Sequence, residues 1–328
     1  MDRIRCVPAV IASLLLGSLA GPLQAQSYPS RTVRIVVPHP AGAPADVPPR
    51  GVAESLSRAF GQPFVVENRD GADGIIGAEA CAKATPDGYT LCSTTSSIIT
   101  LNGLLRAQLP YDAERDFAPL AFLGSLAGVI VAHPSVPATN LRELVELARA
   151  RPDTVSWATL GTTSAGPLYV AWFKNNAGAS FYAVPYKSTQ QGFQAVVAGD
   201  VQVVTFAMGP VVPQVRAGKV RAMAISSARR ASALPDVPTV RESGFDINLS
   251  TWFGLFAPAA TPREILRRLN TEIVRVVNDA PFRAKFIASQ GLDLDEGGRM
   301  NPDEFATFIR ADRELVSRSL AAAGVQRQ

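Results

Sequence analysis

The chain has 328 residues, 47% of them hydrophobic, a formal net charge of +4 and no Lys/Arg block longer than Arg229-Arg230. Interspersed charges argue against nucleic acid and leave only a weak attraction for anions. The two histidines, His39 and His133, and the three cysteines stand in no metal-ligand spacing, which disfavours a zinc or haem site.

Arg3 and Arg5 precede an apolar run from Val7 to Leu19, and a Gly21-Pro22 break leads to Leu23-Gln24-Ala25. A basic start, a short apolar core and small residues before the cut mark a secretory signal peptide over residues 1–25, with Gln26 the first mature residue. The run is too short to span a hydrocarbon core of about 30 Å. Cys6 precedes it and is no lipoprotein acceptor. The mature 303 residues carry +3 once Asp2, Arg3 and Arg5 are gone, and suffice for two domains with sizeable cores. Export leaves Cys81 and Cys92 in an oxidising compartment. They either pair, if a helix bearing Cys81 lies on a strand bearing Cys92, or remain two small buried side chains.

Thr32 to Val37 reads as a strand, followed by a loop to Asp46 and a helical stripe of Val52, Leu56 and Phe60. Phe64 to Glu67 is a second strand, Asn68 to Gly77 a glycine-bearing turn, and a short helix runs on to Ala84. Pro86-Asp87-Gly88 is turn chemistry before a third strand, Tyr89 to Thr94. A second series begins near Leu123, with strands over Val129–His133, Val155–Ala158, Phe181–Val184, Val201–Phe206 and Arg221–Ile225. Asn140 with Glu143 predicts a capping box, and helices are expected after Asn140 and around Val170 to Asn176. Trp252 to Pro258 is a last strand. Two strong helices follow, with capping boxes predicted at Thr261-Pro262-Arg263-Glu264 and Asn301-Pro302-Asp303-Glu304 and a stop at Gly324. Strands alternating with helices make two α/β units. The chain is expected to cross between them near Gly124 to Gly128 and near Ser250 to Gly254.

These segments resemble, in order and over nearly the whole mature chain, the Bug/TctC family of extracytoplasmic solute receptors of tripartite tricarboxylate transporters. The resemblance is carried by Tyr28-Pro29-Ser30-Arg31, Pro40-Ala41-Gly42 with Asp46, Val65-Val66-Glu67-Asn68-Arg69, Pro86-Asp87-Gly88-Tyr89-Thr90-Leu91, Leu109-Pro110-Tyr111-Asp112, His133-Pro134-Ser135, Pro185-Tyr186-Lys187, Leu234-Pro235-Asp236-Val237-Pro238-Thr239 and Trp252-Phe253-Gly254. It implies a two-lobed type II periplasmic-binding-protein fold of α/β class, with a cleft between two mixed sheets. Residues 26–124 and 254–328 then form one lobe, and 125–253 an inserted second lobe. It further implies a periplasmic, non-enzymatic monomer that captures a small organic anion for membrane permease subunits and needs no cofactor or metal.

Ligands of open α/β sheets bind beyond the carboxyl ends of strands, where helix N-termini and loop amides converge. Three loops qualify. Ala41, Gly42 and Ala43 can offer backbone N–H groups, with Asp46 as a helix N-cap, in a loop that also lines the ligand cleft in the family. Thr94, Thr95, Ser96 and Ser97 place four hydroxyls after the third strand, for a ligand or for turn chemistry. Gly161, Thr162, Thr163 and Ser164 resemble the family's polar glycine loop and open a helix, which makes them the strongest candidate for carboxylate contact. The chain departs from the family at Ala43, where a second glycine is usual, at Pro48 and Pro49, and at Phe206, where an acid is common. Phe206 would turn that side towards an aromatic or partly apolar acid.

An exported hydrolase is a remote alternative. Ser164 stands one residue too late for a Gly-x-Ser-x-Gly elbow, and a Ser164–His39 pair lacks a carboxylate partner. A receptor that signals to a membrane sensor kinase would have the same fold and site.

Overall fold

A computed structural model describes residues 28–160, 164–227, 229–231, 233–247, 249 and 251–325, without the side chains of Asp295 and Glu296. The expected signal peptide, Gly161, Thr162, Thr163 and Ser250 lie outside the described residues.

The first part of the chain runs β1 (Val33–Val37), α1 (Val47–Phe60), β2 (Phe64–Asn68), α2 (Ile75–Ala82) and β3 (Thr90–Thr95). A π-helical turn at Ser97–Leu101 continues into α3 (Asn102–Leu105), and β4 (Phe117–Leu126) follows. The middle part runs β5 (Gly128–Ala132), α4 (Leu141–Ala150), β6 (Ser156–Thr159), α5 (Ala165–Ala177), β7 (Tyr182–Pro185), α6 (Thr189–Ala198), β8 (Val203–Ala207), α7 (Met208–Arg216) and β9 (Arg221–Ile225). The last part is β10 (Thr251–Pro258), α8 (Arg263–Val277), α9 (Ala280–Phe282), β11 (Leu292–Asp293) and α10 (Pro302–Ala322).

Two mixed sheets result, ordered β11-β4-β10-β3-β1-β2 and β7-β6-β8-β5-β9. In the first, β1 lies parallel to β2 and β3, and β10 runs antiparallel between β3 and β4. In the second, β6 is parallel to β7 and β8, whereas β5 is antiparallel to β8 and β9. Strands covered on both faces need continuous apolar runs. Val33-Arg34-Ile35-Val36-Val37 supplies one, buried but for Arg34, whereas β3 is buried throughout although four of its six side chains carry hydroxyls. Parallel β1, β2 and β3 all end on one edge, which is where a ligand site is expected.

Strand β4 lies where the sequence pattern predicts none. Its run, Phe-Ala-Pro-Leu-Ala-Phe-Leu-Gly-Ser-Leu, contains a proline and a glycine that normally demote a strand. The pairing along β10 overrides that composition, and Pro119 sits opposite Phe256 where the register shifts. The chain leaves the first sheet after Leu126 and enters the second at Gly128.

Cys81 and Cys92 are joined in a disulfide at a Cα–Cα distance of 6.0 Å, tying α2 to β3. The predicted box at Asn301 is present, with Asn301 accepting from Glu304 N–H and Glu304 accepting in return. Asn140 likewise accepts from Glu143 N–H, although the Glu143 carboxylate accepts from Thr139 N–H. The box at Thr261 does not form. The Thr261 hydroxyl donates back to Pro258 O at 2.7 Å, and α8 begins at Arg263 with Pro262 before it.

Helix α10 belongs to both sheets. Near its start Phe305 packs edge-on against Phe122 and Trp252 of the first sheet. At its end the Asn176 side chain on α5 donates to Ala322 O, and Ala323 joins the core that holds Trp157 and Phe173. Leu105, Leu168, Val316 and Leu320 form a small separate cluster between these regions.

Candidate functional site

The loop after β1 is organised by Asp46, and not as expected. An N-cap accepts from the N–H two or three residues on. Those positions are Pro48 and Pro49, which have no N–H, so the cap cannot form. Asp46 itself has helical backbone angles. Its buried carboxylate, 1% exposed, accepts instead from Gly42 N–H at 2.8 Å, Arg50 Nε at 2.7 Å and Asn68 Nδ2 at 2.8 Å. Arg50 also donates to Asn68 Oδ1, and Asn68 Nδ2 to His39 O, which closes a network from α1 to the end of β2. Burial pushes the Asp46 carboxyl up, but the donors of Arg50, Gly42 and Asn68 outweigh it and hold the group below the usual carboxylate range.

Two of the three loop amides are thereby taken. Gly42 N–H serves Asp46, and Ala43 N–H donates to Pro40 O at 3.2 Å. Gly42 sits at φ +82° with open space where a Cβ would stand, so glycine is required there by conformation and not by crowding. Arg50 and Asn68 were not among the expected site residues. The paired prolines were the available signal, because they leave Asp46 free to reach an arginine one turn on.

At the end of β3 Thr94, Thr95 and Ser96 are buried, and Ser97 is exposed. The Thr94 and Thr95 hydroxyls have no hydrogen-bond partner, a condition shared by Thr205 on β8. Buried polar atoms left unpaired are uncommon and need a reason. Ser96 Oγ accepts from the Trp252 backbone N–H at 3.3 Å. One helical turn on, Thr100 Oγ1 donates to Asp312 Oδ2 at 3.1 Å, and Trp252 Nε1 donates to the same oxygen at 2.8 Å. Asp312 is 9% exposed and has no cation on it, so burial pushes its carboxyl up.

From the second sheet, Ser164 stands at the start of α5 without capping it, since its hydroxyl donates back to Leu160 O. No acidic residue lies in the first turn of that helix, which leaves its positive end unneutralised. Phe206, half-buried on β8, lies flat on the buried Phe193, with ring centroids 4.6 Å apart and planes 8° from parallel.

A cavity of about 270 Å³ brings the two sides together. Ser96, Ser97, Thr100 and Leu101 line it from the first sheet, Ser164, Ala165 and Leu168 from α5, and Leu249, Thr251 and Val316 complete it. Ala41, Gly42, Ala43, Asp46, Thr94, Thr95 and Phe206 do not line it. A larger open groove of about 620 Å³ lies between α1 and the α8–α9 region and touches none of the loops at the strand ends. His39 Nε2 is buried without a partner and the Ser164 hydroxyl is engaged by Leu160 O, so no Ser–His pair is assembled. Among the described residues no group of three or more His, Cys, Asp or Glu could hold a metal ion. No described helix is long and apolar enough to cross a membrane.

Two α/β units with hydroxyl-bearing loops meeting at a cavity define a two-lobed periplasmic binding protein, and solved structures of that class match the fold. The model of the tripartite tricarboxylate transporter family receptor, TctC, matches residues 49–319, and the chain belongs to that family. It is a family of binding receptors, and the protein is a receptor and not an enzyme. Protein BugT of Bordetella pertussis is 34% identical over 89% of this chain and 90% of its own length. R. palustris Rpa4515, solved with adipate, is 29% identical with a TM-score of 0.73, over 92% of this chain and 100% of its own. MatC from Rhodopseudomonas palustris, solved with bound malate, is 29% identical with a TM-score of 0.68, over 90% and 100%.

Proposed function

We propose that this receptor is exported by the leader at residues 1–25, captures a small organic carboxylate in the periplasm between its two lobes, and delivers it to the membrane subunits of a tripartite tricarboxylate-type transporter. The observation that carries the reading is the cavity where the Ser96 and Ser97 hydroxyls at the end of β3 face the start of α5, whose first turn carries no acidic residue. A helix N-terminus with hydroxyls around it favours an anion without needing a lysine or arginine. Two of the related structures hold adipate and malate, which are both carboxylates.

In this reading residues 26–124 and 254–328 form one lobe and 125–253 the other, and the crossings at Gly124–Gly128 and Ser250–Gly254 act as the hinge. Gly161, Thr162, Thr163 and Ser164 hold the carboxylate at the mouth of this cavity, and Thr94, Thr95 and the loop from Ala41 to Ala43, which lie outside its lining, bound the cleft from the first lobe. Phe206 presents an aromatic face beside it.

The test is thermal unfolding of residues 26–328 against di- and tricarboxylates, aromatic acids and neutral amides. A ligand at about a hundred times its dissociation constant raises stability by about 2.7 kcal/mol. Stabilisation by acids and not by amides is expected. A melting temperature indifferent to every acid would remove the receptor reading.

A further inference from the structure

We infer that the cavity behind Ser96 and Ser164 is a tail pocket, and that the ligand is a monocarboxylate carrying an uncharged, largely apolar chain or ring. This rests on the receptor reading above and narrows its ligand class.

The lining is graded in a way two helical starts explain. Ser97 opens the π-helical turn after β3, and Leu101 follows four residues later. Ser164 precedes α5, and Leu168 follows four residues later. Residues spaced by four share one helix face, one turn apart. All four line the same cavity, so each side contributes a serine at the start of a helix and a leucine one turn further along it. Val316 and Leu249 complete the deep end, where Leu168 and Val316 belong to the small apolar cluster with Leu105 and Leu320.

The polar end is prepared for an anion and the deep end is not. Ser96, 7% exposed, takes the Trp252 N–H on its oxygen and keeps its own proton for a ligand oxygen. By contrast, the Thr100 hydroxyl proton is committed to Asp312, so Thr100 turns only lone pairs to the cavity. Among the described residues no charged side chain lines it. A second carboxylate pushed inwards would meet Leu101, Leu168, Leu249, Val316 and an acceptor oxygen backed by Asp312, and the single Thr251 hydroxyl is too little to offset its desolvation. The volume of about 270 Å³ holds on the order of nine water-sized groups, enough for a short alkyl or phenyl tail.

Calorimetric titration with butanoate, hexanoate, octanoate and phenylpropanoate, each beside the diacid of equal length, tests this. Affinity is expected to rise about fourfold per methylene until the pocket fills, and each diacid to bind more weakly than its monoacid. Val316→Phe on α10 and Leu101→Phe after β3 fill the pocket from different elements. In either variant that folds, octanoate should weaken about tenfold relative to butanoate. Malate or adipate binding with no gain from chain length would overturn the tail pocket and leave the receptor reading standing. So would octanoate affinity unchanged in the filled variants. Failure of every acid to bind would remove both.

Discussion

Two buried aspartates occupy opposite electrostatic settings, and the difference separates a fixed loop from an adaptable junction. Asp46 has three donors, including Arg50, and its carboxyl is held below the usual range. Asp312 has only the neutral donors of Trp252 and Thr100, both on one oxygen, and its carboxyl is pushed up. A paired and fully bonded carboxylate locks the backbone around it, whereas a buried acid without a cation tolerates its proton. The Ala41–Asp46 loop is therefore held in one shape by its own hydrogen bonds. The junction of Thr100, Trp252 and α10 borders the cavity and carries the acid that can change charge.

The largest break in that contrast is Asp46→Ala. It strands Gly42 N–H and the Asn68 amide, and a loss of about 3 kcal/mol in a urea melt is expected. The half-exposed Arg50 contributes the smaller share because solvent screens it. The pH dependence has a definite sign. A depressed carboxyl contributes stability that is present above about pH 4, the unfolded value, and lost as pH falls through the folded one. Asp46→Ala should consequently lose its deficit in acid.

Reducing the Cys81–Cys92 disulfide should cost about 2–3 kcal/mol by releasing a short loop. Neither sulfur titrates while bonded, so this loss supplies a control that is flat with pH for the disulfide-bonded protein. Asp312→Asn should act the other way from Asp46→Ala. A raised carboxyl weakens the fold as pH rises from about 4 through the folded value. The amide escapes that cost, so the variant should match the wild type in acid and be the more stable of the two at neutral pH. A variant less stable than the wild type at neutral pH would show that the Asp312 charge is needed. The smallest effect is expected at Phe206→Leu, which removes the stacking on Phe193 and should cost about 1 kcal/mol.

Much of the fold was legible in sequence because local signals and tertiary contacts agree there. The β-branched runs became β1, β2 and β3, and Asn301-Pro302-Asp303-Glu304 caps α10 as its spacing predicts. β4 was not legible, because its partner β10 lies far along the chain and its proline and glycine argue locally against a strand. The same division holds at the site. Ser96 and Ser164 could be placed by their positions at a strand end and a helix start. The clamp of Asp46 by Arg50 and Asn68 depends on where the end of β2 falls, and Asp312 reaches Thr100 and Trp252 only because α10 returns across the first sheet. No spacing rule links residues 212 positions apart, the separation of Thr100 and Asp312.

The central claim is capture of a carboxylate between the two sheet-bearing lobes. Small-angle X-ray scattering of residues 26–328, with and without the acid that most raises the melting temperature, tests it directly. The account predicts a smaller radius of gyration in the saturated protein as the lobes close on the ligand. Tight binding with an unchanged scattering profile would contradict capture by closure and assign the acid to the surface of a single lobe.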